Sequence, residues 1–374
     1  MKHMRMLAVA GDYSGDMHAA SLCRALHRRE DISIEIAAIG GESLRKESDI
    51  FLQDLVGISV FGFIKPFARI ISLRSILNKI IKKYLIEKKP DAVILVDYYG
   101  FNIHVAKIAH ALSIPVMYFI SPQIWASRSY RIHALKKYIR RMFVIFPFEK
   151  ALYESAGLPV TYIGHPLVDR VPEAVPDKQI PDVWHIGLLP GSRIGEIEKH
   201  MSVLLCSAEK IRARIKHVRF SLFIPESIDR SVIERWCTGR TGTSISIITE
   251  KDYGVRKTVD FAISASGTAT LENALLGIPM VVIYKISWLS YIIARILVHV
   301  KYICIVNIIF GRKIVSELIQ YQVSSIRITE KTIEILSNNE TYQEQRKLLL
   351  SVRDVLGHAG AVDRASMLIV QELT

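Results

Sequence analysis

An α/β chain folded as two doubly wound halves is the fold class the sequence predicts, on three observations. Short apolar runs alternate with stretches of helical periodicity, the pattern of βαβ units and parallel sheets. A polar segment, residues 171–182, carries Pro172, Pro176 and Pro181 and reads as a linker. After it the pattern restarts with an apolar strand, a small-residue turn and a helix, as at the start of the chain. A length of 374 residues accommodates two domains. The expected partition is residues 1–170, the linker, residues 183–350, and a C-terminal helix over 351–374 that could pack back on the first domain.

In the first half, Met6 to Ala10 reads as a strand, and Gly11-Asp12-Tyr13-Ser14-Gly15-Asp16 as the turn into a helix ending near Arg29. This is not GxGxxG, and Asp12 and Asp16 would repel a phosphate. They suit sugar hydroxyls or general-base work, or simple helix capping. Ile34 to Ile39 is the second strand. Val60 to Phe67 then crowds Phe61, Phe63, Ile64 and Phe67 between Gly and Pro, with Arg69, Arg74, Lys79, Lys82 and Lys83 behind. Apolar side chains backed by basic ones fit an interfacial membrane contact, although on the residues alone a packed loop beside a solvated helix is the favoured reading. Asp91 to Val96 is the third strand, with Asp97 at its carboxyl end, where open α/β sheets place reactive groups. Asp97 reads as a general base or as an N-cap. Ile114 to Ile120, Met142 to Phe146 and Val160 to Ile163 are the remaining strands of this half.

In the second half, His185 to Leu189 is a strand, followed by Pro190-Gly191-Ser192-Arg193 and a helix to about Ile215. Phe220 to Ile224 and Ile245 to Ile248 are further strands. Val259 to Ser264 leads through Ala265-Ser266-Gly267 into a helix from Thr268 to Gly277, with the strand Met280 to Tyr284 beyond. A strand, a small-residue turn and a helix N-terminus together present unpaired backbone N–H groups to an anion. Two such turns, with the forked cation of Arg193 and a carboxylate at Glu272 for a ribose, indicate a nucleotide-diphosphate pocket. From Glu317 onward the pattern is helical.

Composition narrows the partners. Half of the residues are apolar, which excludes a disordered chain, and lysine plus arginine exceeds aspartate plus glutamate by 49 − 36 = 13. That balance favours an anionic partner: a phosphorylated substrate, an anionic lipid surface or nucleic acid. Nucleic acid is not expected, because no compact RNA or DNA motif is present. Cys23, Cys206, Cys237 and Cys304 are scattered, which suggests neither a disulfide framework nor a zinc site and fits a reducing cytosol. The N-terminal apolar run is too short for a signal peptide. Charges at Lys285, Arg295, His299 and Lys301 interrupt the most apolar region, residues 278–310, so no membrane span is expected.

The segments AGDYSGD, VDYYGFN, SPQIWASR, FPFEK, YIGHPLVD, LLPGSR, ASGTATLE and VNIIFGRKIVSELIQ follow one another over nearly the whole chain. As an ordered set they resemble the lipid-A-disaccharide synthases. The resemblance implies the GT-B arrangement: two facing Rossmann-like doubly wound domains with a cleft between them. The first domain would be the acceptor and membrane side, the second the UDP-sugar side. It implies an inverting transfer from UDP-2,3-diacylglucosamine to 2,3-diacylglucosamine 1-phosphate, at the cytosolic face of the inner membrane of Gram-negative bacteria, on an anionic membrane surface. No cofactor and no metal are expected, and an oligomer is left open. Asp97 matches the family's essential aspartate, with Asp16 as the second candidate base. Arg193 would neutralise the pyrophosphate, Glu272 would hold the ribose, and Asn307 and Arg312 match the family's PNLLAGR segment. Ser14, Gly15, Asn102, Gly191, Ser192, Ser266, Gly267 and Thr268 complete the expected substrate-binding set. Trp288, Tyr291, Ile292 and Ile296 join the Phe61 patch as expected membrane contacts.

The chain departs from the family pattern at Asp12 in place of Glu, at Gly100 in place of a second Asp, and at Ser127 in place of Trp. Val306-Asn307-Ile308-Ile309 stands for PNLL. A UDP-sugar 2-epimerase of similar fold and a non-catalytic basic membrane-surface protein are the alternatives.

Overall fold

The computed structural model describes residues 2–57, 66–175, 178–238, 245–288, 291–292, 295 and 300–374. The chain forms two compact units. One comprises Met1–Asp169 with Leu356–Thr374, the other Arg170–Val355.

The first unit is built on a parallel sheet of β1 (Lys2–Ala10), β2 (Ile32–Gly40), β3 (Ile50–Asp54), β4 (Ala92–Val96), β5 (Val116–Phe119), β6 (Arg141–Val144) and β7 (Val160–Tyr162), in the order β3-β2-β1-β4-β5-β6-β7. The central strands are continuous apolar runs because helices flank such a sheet on both faces; all five residues of β4 are buried. Strand order reverses between β1 and β4, whose register brings Ala10 beside Val96 at their carboxyl ends. That switch point is where open α/β sheets form a crevice. The C-terminal helix Ala361–Leu373 packs on the helix Tyr13–His27. Glu372 pairs with Arg140 at 3.0 Å and Arg141 at 2.6 Å, and Arg364 donates twice to the Ile163 carbonyl.

The second unit repeats the plan with β8 (Trp184–Leu189), β9 (Val218–Pro225), β10 (Ile245–Glu250), β11 (Phe261–Ala265), β12 (Met280–Tyr284) and β13 (Ser316–Ile319), in the order β10-β9-β8-β11-β12-β13. Its order reverses between β8 and β11, with Leu189 beside Ser264. The turns LPGSR and SASGT therefore leave neighbouring strand ends at the second switch point.

Two strands differ from the sequence reading. β3 was not expected, and β13 falls where a helical tract was expected to begin at Glu317. Both are short edge strands with polar residues (Gln53 and Asp54; Ser316 and Glu317), which cut their apolar stretches to Ile50-Phe51-Leu52 and Leu318-Ile319. The C-terminal helices begin at Ser325. Phe61, Phe63, Ile64 and Ile296 lie outside the described residues, as does the side chain of Phe67, which belongs to the helix Pro66–Ser75. Among the described residues no helix is long and apolar enough to cross a membrane.

Candidate active site

In the first unit the chain leaves β4 through Asp97 and Tyr98, both in the left-handed region at φ +43° and +42°. Such a conformation costs a non-glycine residue ~1–3 kcal/mol and persists only where its surroundings impose it. Here Asn102 Nδ2 donates to the carbonyls of Val96 at 3.0 Å and Asp97 at 2.9 Å. The Tyr118 hydroxyl also donates to the Asp97 carbonyl. The Tyr98 ring crosses Gly11 so closely that a Cβ there would sit 1.9 Å from it, so this position requires glycine. The Asp97 carboxyl is pushed up to about 7, by burial first and then by the charges of Asp12 and Glu149, while a backbone hydrogen bond from Tyr98 opposes the shift. A carboxylate that titrates near neutrality at a strand end can accept a proton from a hydroxyl.

The other expected residues of this unit have structural duties. Asp12 caps the helix Tyr13–His27 by accepting from Gly15 N at 2.7 Å, so the Gly15 N–H is not available to a substrate. Asp16 is corrected as a candidate base. It is buried, and its carboxylate accepts from the N–H groups of Gly41 at 2.6 Å, Ser43 at 2.9 Å and Leu44 at 3.2 Å, holding the start of the helix Glu42–Glu47. Asn102 is buried, and its amide nitrogen donates to two backbone carbonyls, which holds the chain at Asp97. Ser14 remains exposed on the first helical turn.

Glu149, not anticipated as a site residue, is buried and ties SPQIW to FPFEK. Its Oε1 accepts from Ser121 Oγ at 2.7 Å and Trp125 Nε1 at 3.2 Å, and its Oε2 from the backbone N–H groups of Ile145 and Phe146. Burial raises its pKa.

In the second unit, Gly191 takes φ +123° and lies against Glu196, whose carboxylate accepts from Ser192 N at 3.3 Å. Arg193 Nη1 pairs with Glu196 at 3.0 Å, yet the Arg193 side chain is 80% exposed and projects beside the loop. Buried His200 braces this loop from beneath. Its Nε2 accepts from Lys285 N at 3.2 Å, which leaves Nδ1 to donate to the Pro190 carbonyl at 2.7 Å. That arrangement needs the neutral ring, and burial lowers its pKa accordingly.

After β11, Ser266 is corrected as a phosphate donor, because its N–H goes to the Ile283 carbonyl at 3.0 Å and its hydroxyl to the Ile303 carbonyl at 3.1 Å. Gly267 is open: a Cβ there would meet nothing within 4 Å. Thr268 begins the helix Thr268–Leu275; the Thr270 N–H turns back to the Gly267 carbonyl at 3.1 Å, and the N–H groups of Thr268 and Ala269 precede any intrahelical acceptor. One turn in, Glu272 accepts from Tyr253 Oη at 2.9 Å and Arg256 Nη1 at 2.7 Å. Nothing in the tract KDYGVRK signalled that partnership.

Asn307 is the last correction. Its amide donates to the Val315 carbonyl and Glu317 Oε1 and accepts from Ile314 N and Val315 N, which fills its hydrogen-bonding capacity. Arg312 is exposed just past the helix Ile305–Phe310. Trp288 and Ile292 are exposed, with Trp288 edge-on to Tyr291.

Comparison with known proteins bears on what these two crevices serve. Among solved structures, a UDP-GlcNAc 2-epimerase from Neisseria meningitidis bound to UDP-GlcNAc superposes with a TM-score of 0.62 at 15% identity, covering 100% of this chain and 99% of that one. The glycotransferase of kitacinnamycin superposes with a TM-score of 0.63 at 14% identity, over the full length of both chains. These likenesses show the two-domain GT-B fold. The lipid-A-disaccharide synthase of Syntrophus aciditrophicus (strain SB) is 36% identical over 98% of this chain and 97% of its own length. That of Geobacter sulfurreducens is 36% identical over 99% and 97%. The profile of the lipid-A-disaccharide synthetase family matches residues 6–369. With relatives this similar over nearly the whole length, the chain belongs to the lipid-A-disaccharide synthetase family.

Proposed function

We propose that this chain joins UDP-2,3-diacylglucosamine to 2,3-diacylglucosamine 1-phosphate, giving the β-1,6-linked lipid A disaccharide 1-phosphate and UDP. Family membership supports the reaction, and one observation carries the assignment of its chemistry: a carboxyl tuned to about 7 at the switch point of the first sheet. Asp97 takes the proton of the acceptor 6-hydroxyl. The freed oxygen forms a bond to the donor's anomeric carbon as the bond from that carbon to the UDP oxygen breaks, with inversion. UDP leaves with the electron pair. Arg193 and the N–H groups opening the helix at Thr268 meet the charge that grows on its phosphates. Glu272 takes the ribose hydroxyls.

The acyl chains of both substrates place the reaction at a lipid surface. We assign the protein to the cytosolic face of the inner membrane, held peripherally. The net charge of +13 and the exposed Trp288 and Ile292 support this reading. The 2-epimerase alternative shares the fold but has no counterpart in the full-length family match. An assay with both lipid substrates separates the two. UDP and disaccharide should appear together and only when the acylated sugar phosphate is present. UDP release without acceptor, or an epimerised UDP-sugar, would exclude the glycosyltransfer reading.

A further inference from the structure

Glu272 is held by a buried cluster to which the reaction as described gives no part. Arg256 lies in the short turn Arg256–Thr258 before β11 and is 4% exposed. One edge of its guanidinium forks onto Glu250 at the end of β10, with Nε donating to Oε1 at 2.7 Å and Nη2 to Oε2. Its Nη1 reaches the other way to Glu272 Oε2 at 2.7 Å. Tyr253 Oη donates to Glu272 Oε1 at 2.9 Å. One arginine is thus shared between two carboxylates, and burying it requires both.

The arrangement leaves Glu272 in a particular state. Among the described residues each of its two oxygens has one donor, and a carboxylate oxygen can accept twice. One lone pair therefore remains on each oxygen, side by side. The side chain keeps 16% exposure, and it sits one turn into the helix that opens at Gly267 and Thr268. Two adjacent acceptors match two adjacent hydroxyls.

We infer that Arg256, with Tyr253, is a positioning residue for the donor: it orients Glu272 so that both free lone pairs face the vicinal diol of a nucleotide ribose. This rests on the donor assignment above. Arg256 touches no substrate. Glu250 anchors its fork, and the planar guanidinium transmits a fixed orientation that a lysine cannot reproduce. Discrimination of ribose from deoxygenated sugars then depends on a residue buried behind the pocket.

The test is titration calorimetry with UDP and with 2′,3′-dideoxy-UDP, on the full chain. The wild-type protein should prefer UDP by roughly tenfold or more, the loss expected when hydroxyls leave a charged acceptor unpaired. Arg256→Lys should bring that preference to within about twofold while leaving dideoxy-UDP affinity near its wild-type value. The same variant should raise KM for the UDP-sugar with little change in kcat. Tyr253→Phe removes one donor to Glu272 without disturbing the arginine fork, and should show a smaller loss of preference; it carries the test if Arg256→Lys does not fold. An equal weakening of both nucleotides, with the preference kept, would make the cluster purely structural and overturn the inference. Glu272→Gln serves as the control for the donor assignment. If it retains the full preference for UDP, Glu272 is not at the ribose, and the donor assignment fails together with this inference whatever Arg256→Lys shows.

Discussion

Asp97 combines a strained backbone, two donors pinning its own carbonyl, and a carboxyl lifted by burial and by Asp12 and Glu149. Its pH behaviour follows from the sign of that shift. The carboxyl is protonated below about 7 in the folded protein and from about 4 downward in the unfolded chain. As pH rises through that window, charging a poorly solvated group lowers stability. Asp97→Asn should therefore raise the melting temperature at pH 8 and have little effect on it at pH 4. With Asp97 as the proposed base, turnover needs the ionised form, so kcat/KM should rise with pH to a plateau with an apparent pKa of about 7. A plateau reached by pH 5 would contradict the tuning. Asp16 gives the opposite case. Asp16→Ala removes the acceptor of three backbone N–H groups and should cost about 3 kcal/mol in denaturant unfolding. Its effect on activity at permissive temperature should follow only the loss of folded protein.

At the level of elements, the loops after β8 and β11 share a switch point because their strands are neighbours. Asn307 belongs to a different kind of element. It fastens the helix Ile305–Phe310 to the segment entering β13, and Glu317 closes the same knot by accepting from Ile303 N and Cys304 N at 3.0 Å each. Asn307→Ala should destabilise the second unit by about 3 kcal/mol, while UDP affinity below the transition stays within a few-fold of wild type. A selective loss of UDP affinity without loss of stability would return Asn307 to the binding set. The contrast shows what was legible from residue types alone. Buried parallel strands declare themselves as apolar runs, so β1, β4, β8, β11 and β12 were readable, and so were the turns that follow them. The edge strands β3 and β13 are mostly half-buried and carry polar residues, which leaves only two or three apolar residues in a row. The place of Asp97 after β4 was readable because a strand end is a position in the pattern. Asp16 reads as a candidate base, and Asn102 and Asn307 as substrate ligands, because a motif does not reveal whether a polar side chain meets a ligand or the backbone. Arg256 and Glu149 depend on contacts between segments distant in sequence, which no local pattern contains.

For the whole molecule, the proposed reaction assigns donor and acceptor duties to separate units, and each unit has its own switch point. A net charge of +13 should make binding to anionic vesicles salt-dependent, weakening steeply between low and physiological ionic strength. Phe61→Ser combined with Phe63→Ser should reduce the remaining salt-insensitive part. Vesicle binding unchanged by that pair would remove those two residues from the membrane contact. The division of duties makes a sharper demand on Asp97. Single-turnover chemistry and UDP affinity, measured side by side for wild type and Asp97→Ala, test the division most directly. The account predicts that disaccharide formation falls by a factor of about 10² or more while the UDP dissociation constant stays within about twofold. Retained turnover in the variant, or loss of UDP binding in step with turnover, would contradict it.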